Sequence, residues 1–247
     1  LLRMEQAGFS VTALERYCNI RAKKCVSDWN AGVNKKSQLA KLEKVIGDME
    51  QLLNMSPTAE RFCLMGKAYK SKAQITVARP AKLTALAQAA HYFYKAVQKT
   101  DNNYKGYALN NWLAIEYVLT ELKKHKWGTD TAQQYHLPSL KEVKEELKQV
   151  AGQVSDPAGD MDFWRWIDQV NARMILWLLE GRHAEKTEEK QLREQFAEIW
   201  NSAGSQNKKI SQNAHFEFLV EILSLTERSA SRLKLVRQIK SDLEQII

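Results

Sequence analysis

The strongest constraint in this 247-residue sequence is a pattern of small and ring-bearing side chains between Ser56 and Asp101. In Phe62-Cys63-Leu64-Met65-Gly66-Lys67-Ala68-Tyr69, a glycine stands four residues after a phenylalanine and three before a tyrosine. Further on, Ala89-Ala90-His91-Tyr92-Phe93-Tyr94-Lys95-Ala96 sets alanines on both sides of Phe93. Residues three and four apart share a helix face, so small ones let two helix backbones approach while rings fill the space beside them. The two runs therefore predict a tightly packed antiparallel hairpin of helices. Ser56-Pro57 in front supplies a capping oxygen and a proline suited to a first turn, so the first helix of the pair is expected to open there.

The rest of the chain reads the same way. Four prolines and ten glycines in 247 residues leave few breakers, and strand-like alternation is hard to find. A first helix is expected from Ser10 to about Asn30, with Val11, Leu14, Cys18, Cys25 and Trp29 on its apolar side. Ala31-Gly32-Val33-Asn34 is a stop, and a second helix with Leu39, Leu42, Val45, Ile46, Met49, Leu52 and Leu53 follows from Ser37. After Asp101-Asn102-Asn103, a helix opens at Tyr104 and reaches about Lys124, where positive charge suits the helix end. Another runs from Pro138 to about Gln153 and is broken by Ser155-Asp156-Pro157-Ala158-Gly159. A helix capped by Asp160 and stopped by Gly181 is apolar on most of its circumference, through Phe163, Trp164, Trp166, Ile167, Val170, Met174, Ile175, Trp177 and Leu178. It belongs in a core rather than a binding groove. Leu192 to Trp200 mark the next helix, Ser205 to Lys209 a polar loop, and two last helices carry Phe216 to Leu223 and Leu233 to Leu243. The expectation is an all-α chain of about ten helices in antiparallel hairpins. It divides into residues 1–128 and 129–247, with Thr129–Leu137 as connector and the clearest repeat at 56–101.

The Phe62–Tyr69 and Ala89–Ala96 signatures resemble the tetratricopeptide repeat, which implies hairpins stacked as a solenoid. One departure stands out: Gly66 and Ala89 are 23 residues apart, against about 12 in the standard repeat. The surplus falls at residues 71–86, around Thr76-Val77-Ala78-Arg79-Pro80, as a protruding loop or as lengthened helices, the second being favoured. The run Ala59–Lys70, together with Ala90–Ala96 and Tyr104–Trp112, is similar to the helical-repeat region of bacterial multidomain proteins. There, such repeats accompany a caspase-like (CHAT-type) protease or another effector domain. The resemblance covers residues 56–120 and brings no protease residues with it. It implies a non-catalytic scaffold or sensor segment of a larger bacterial protein, of the phage-defence kind. Its partner would be a protein or peptide, including an effector domain in the same polypeptide. In this family the first helix of each pair lines a concave groove. Residues opposite Phe62, Met65 and Tyr69 would face it, namely Cys63, Lys67, Lys70 and Ser71. Lysines one turn apart suit a carboxylate or phosphate, and Asn110 and Asn111 are added as candidate partner contacts.

Catalytic and metal-binding patterns are missing. His91, His125, His136, His183 and His215 are scattered without His-x-x-x-His or Glu-x-x-His spacing, and no phosphate-binding glycine loop or Gly-x-Ser-x-Gly elbow occurs. No enzyme activity, metal or cofactor is expected. Three cysteines, an odd count, fit a reducing compartment, so a cytoplasmic setting is expected, with Cys18 and Cys25 as small buried residues. No apolar run reaches the roughly 18 residues of a membrane span. The start at Leu1-Leu2 is read as that of a segment from a longer protein. Net charge is +8, and it is uneven: residues 1–130 hold 21 Lys and Arg against 11 Asp and Glu. That excess steers an acidic partner, and it supports an alternative reading as a basic nucleic-acid-binding helical domain. No arginine-rich cluster or aromatic–basic alternation accompanies it in the sequence.

Overall fold

The computed structural model describes residues 10–99, 105–122, 127, 138–152, 162–180, 186–202, 205–226 and 229–245. Among them are ten α-helices and no strand: α1 Val11–Asn30, α2 Lys35–Met55, α3 Ala59–Ile75, α4 Arg79–Val97, α5 Lys105–Glu121, α6 Leu140–Ala151, α7 Phe163–Glu180, α8 Lys186–Ser202, α9 Gln206–Leu223 and α10 Ala230–Glu244. The all-α, hairpin-built class expected from the sequence is what forms. The chain divides into two compact units, residues 1–108 and 109–247, with the division falling within the span of α5.

Each boundary has a local cause. Ser10 caps α1, its Oγ accepting from the Ala13 N–H. Gly32 (φ +76°) and Asn34 (φ +31°) take left-handed backbone to reverse the chain, and the Asn34 side chain then caps α2. α3 opens two residues later than the Ser56-Pro57 reading. Thr58, whose Oγ1 accepts from the Arg61 N–H at 3.3 Å, is its cap, while Ser56 closes α2 by donating its N–H to the Leu52 carbonyl. Either side chain offers a capping oxygen, and the C-terminus of α2 had already claimed Ser56. The surplus residues of the central pair are helix. Only Thr76-Val77-Ala78 separate α3 from α4, and Pro80 sits in the first turn of α4, where a missing N–H costs nothing. The expected polar loop at 205–209 is also mostly helix, since α9 starts at Gln206 with Ser205 at its cap position.

In the first unit, α3 is covered on two sides. Toward α1 and α2 it sends Met65, Ala68 and Ile75 into a core with Cys18, Ala22, Cys25, Leu42, Ile46, Met49 and Leu52. All three cysteines are buried and outside any disulfide: Cys18 and Cys25 as expected of small apolar fillers, Cys63 against the expectation that it faces a groove. Toward α4 the governing contact is Gly66 against Phe93. A Cβ at position 66 would lie 2.9 Å from three atoms of the Phe93 ring, closer than packed carbons approach. The hairpin depends on there being no side chain at that point. Alongside, Tyr92 stacks between Phe62 (6.5 Å) and Tyr69 (5.5 Å), and Ala89, Ala90 and Ala96 are buried.

Arg61 ties the first three helices together. Its Nε meets Glu15 of α1 at 2.7 Å, while Nη1 donates to the carbonyls of Leu52 and Ser56 at the end of α2. Both charged side chains are only 12 % exposed, so the pair is nearly desolvated.

The second unit is built from the remainder of α5 and from α6–α10. Ser139 and Glu142 form a reciprocal capping box at α6. The core gathers Trp112, Leu147, Phe163, Ile167, Phe196, Trp200, Phe216 and Phe218, with Phe196 edge-on to Phe216 at 5.1 Å. Of the three tryptophans assigned to the core of α7, Trp177 is buried and Trp166 half-buried, but Trp164 is 38 % exposed at the first turn. The helix has a solvent side after all, made by Trp164, Arg165 and Arg173. The Asp160 cap, the Gly181 stop and the 155–159 breaker lie outside the described residues.

Two stability predictions follow from this packing. Gly66→Ala forces the Phe93 ring aside and costs about 1–3 kcal/mol, read as a lower urea midpoint of the first unit. Arg61→Met strands Glu15 and two carbonyls and costs about 3 kcal/mol. By contrast, Lys148→Met, which removes an exposed pair with Glu145, leaves the midpoint unchanged.

Candidate functional site

With α1 and α2 on one side of α3 and α4 on another, one sector of α3 is left partly open among the described residues, with Tyr107 of α5 at its edge. Glu60, Lys67 and Ser71 fall on it by helical spacing, Glu60 exposed and the other two half-buried. Lys67 is placed by the same packing that makes the hairpin. Phe93, pressed against Gly66, meets Tyr107 edge-on at 5.9 Å in the first turn of α5. The ammonium of Lys67 then lies 4.7 Å from the centroid of the Tyr107 ring. A glycine, two rings and a lysine thus form one closed set of contacts across α3, α4 and α5. A cation over a ring face is attracted by the ring quadrupole, so Lys67 is held in place instead of sweeping through solvent.

Lys70 lies one turn further, rotated toward the interior. Part of the residue is open to solvent, but its ammonium end is enclosed. Burial, and after it the nearby charge of Lys67, pushes its pKa down to about 7. The site therefore pairs a ring-seated cation with a lysine that changes charge near neutral pH. Cys63, on the same side of the helix, is 2 % exposed and enclosed by packing.

Asn110 and Asn111 stand in the second unit on α5, each 1 % exposed. The Asn110 amide donates to the carbonyl of Asp168 on α7 at 3.0 Å. It bridges neighbouring helices, a common task for a buried asparagine. Four of the six candidate residues, Cys63, Lys67, Lys70 and Ser71, are thus together on α3. Tyr107 was missed in the sequence. Its signal was an aromatic residue just inside the start of the next helix, and its use depends on Phe93 standing beside it. Elsewhere among the described residues, no group of three His, Cys, Asp or Glu is placed to hold a metal ion. No described helix is long and apolar enough to cross a membrane.

The Lys70 shift has a defined sign. Its pKa is about 7 folded and near 10.5 unfolded, so between those values the unfolded chain holds the extra proton and stability rises with pH. Lys70→Met is expected to stabilise the first unit most below pH 7, with the gain shrinking toward pH 10.5. Denaturant midpoints across that range check it. NMR titration of 13C-dimethylated lysines should place the midpoint of the Lys70 resonance near 7.

Residues 2–116 match the family model described as Tetratricopeptide Repeats-Sensor (TPR-S). No curated protein and no solved structure matches the chain. Repeats of this kind commonly mediate protein interactions. The first part of this chain is a tetratricopeptide-repeat-like helical region.

Proposed function

We propose that this chain is a non-catalytic sensing or scaffold segment of a larger bacterial protein, of the phage-defence kind, and that it holds a protein segment along the first-helix face of its repeat. The observation that carries the reading is the Lys67–Tyr107 contact, built on the Gly66–Phe93 approach of a repeat hairpin. In such a repeat the first helix presents side chains to the partner, and Lys67 and Ser71 share one side of that helix here, with the enclosed ammonium of Lys70 beside them. The family description as a sensor supports the sensing half of the proposal.

Lys67 is positioned before a partner arrives, which reduces the side-chain entropy lost on binding. A carboxylate of the partner, from Asp, Glu or a chain terminus, accepts from Lys67. Its charge favours protonation of Lys70, which adds a second cation one turn away. The positive excess of the first half speeds the approach of such a segment. An effector domain in the same polypeptide is one source of it.

Selection of a random peptide library against the 247-residue chain tests this reading. The expected result is enrichment of acidic sequences whose affinity falls about tenfold on Lys67→Ala, the loss of one charge-assisted hydrogen bond. Binding should also tighten as pH falls through 7 and Lys70 becomes charged. Enrichment of no sequence, or of sequences that bind Lys67→Ala and Lys70→Ala equally well, would overturn it.

A further inference from the structure

The α1–α2 hairpin carries a second basic surface, separate from the α3 site. Burial raises the Cys25 thiol pKa, and the charges of Arg21 and Lys24 on α1 and of Lys41 on α2 lie near enough to act on it as well. Lys44 lies one turn beyond Lys41, and Lys35 and Lys36 stand at the tip where α2 begins. Lys24, Lys35, Lys36, Lys41 and Lys44 are exposed. Asp28 is paired with Lys24 at 3.0 Å. Lys36, Lys41 and Lys44 make no ion pair within 4.0 Å among the described residues.

The surface also has rings. The Arg21 guanidinium lies 5.6 Å from the centroid of Tyr17, which is 50 % exposed, and the Lys35 ammonium lies 5.0 Å over Trp29. Aromatic and basic groups that do not alternate in the sequence are brought side by side by one helical turn and by the 31–34 reversal. From these contacts we infer that the α1–α2 hairpin is a docking surface for single-stranded nucleic acid. Lysines of the two helices contact the phosphates and a base stacks at the exposed Tyr17 ring, whereas Trp29 packs against the core beneath Lys35.

Two other anionic partners fit less well. A lipid surface needs a continuous apolar face beneath the charges, whereas the exposed aliphatic residues here, Ile20 and Val33, lie apart, one in mid-helix and one in the turn. An acidic peptide satisfies the lysines but makes no use of an exposed ring already topped by a guanidinium. Nucleobases use both the ring and the cation.

The test is fluorescence anisotropy of the 247-residue chain with fluorescein-labelled (dT)20, titrated at several salt concentrations. Binding is expected with a log–log salt slope of about −3, as for about four neutralised phosphates. Lys41→Glu/Lys44→Glu should weaken it by about tenfold or more. The control, Lys234→Glu/Arg237→Glu in the second unit, removes the same net charge and should change it less than about twofold. Tyr17→Ala should weaken binding about tenfold with the salt slope unchanged, as expected for a lost stacking platform. Several outcomes overturn the inference: no binding at low salt, equal losses for the two charge-reversed pairs, or no loss with Tyr17→Ala. Polyglutamate or phosphatidylserine-containing vesicles displacing the oligonucleotide at matched charge concentration would also overturn it, in favour of an acidic peptide or a membrane. None of these readouts involves Lys67 or Lys70, so failure here leaves the α3 reading standing, and the reverse holds too.

Discussion

The contact of Gly66 with the ring of Phe93 is the constraint on which the first unit depends. Space for the ring exists only because α3 has no side chain there, and a methyl group would sit 2.9 Å from three ring atoms. That closeness sets the separation of α3 and α4, and the separation lets Tyr92 stack between Phe62 and Tyr69. On its other edge Phe93 holds Tyr107, and Tyr107 holds Lys67. The route from a missing side chain to a positioned cation has three contacts. Packing and the candidate site are therefore one piece of physics.

What the sequence revealed and what it concealed follow from how local each cause is. The hairpin was readable because Gly66, Ala89 and Ala96 have direct steric meaning at helical spacing. The start of α3 was misplaced because Ser56 and Thr58 can both cap, and the choice between them is made by the end of α2. The residues at 71–86 could have been loop or helix, since Pro80 breaks a helix interior yet fits a first turn; the structure puts it in the first turn of α4. Lys67 could be assigned to the open sector of α3 by its spacing from Phe62. Its ring partner comes from another helix, and the enclosure of the Lys70 ammonium depends on surroundings that no periodicity encodes.

The same division runs through the second unit and the first hairpin. Trp177 was rightly placed in the core, whereas Trp164, four residues after the expected cap Asp160, is 38 % exposed. A nearly all-round apolar helix can still leave part of its first turn exposed. The Arg21–Tyr17 pair has an (i, i+4) spacing open to inspection, while Lys35 reaches Trp29 only because the chain reverses through Gly32 and Asn34. Charge counts alone gave the sign of the first half.

Solution NMR of the Gly66 methylene protons tests the central geometry most directly. With Phe93 packed against the glycine, one of the two protons should be shifted well upfield by the ring current and show strong nuclear Overhauser contacts to the Phe93 ring. Ordinary random-coil shifts for both protons, with no contact to that ring, would mean that α3 and α4 do not meet there, and the positioned Lys67 would lose its foundation.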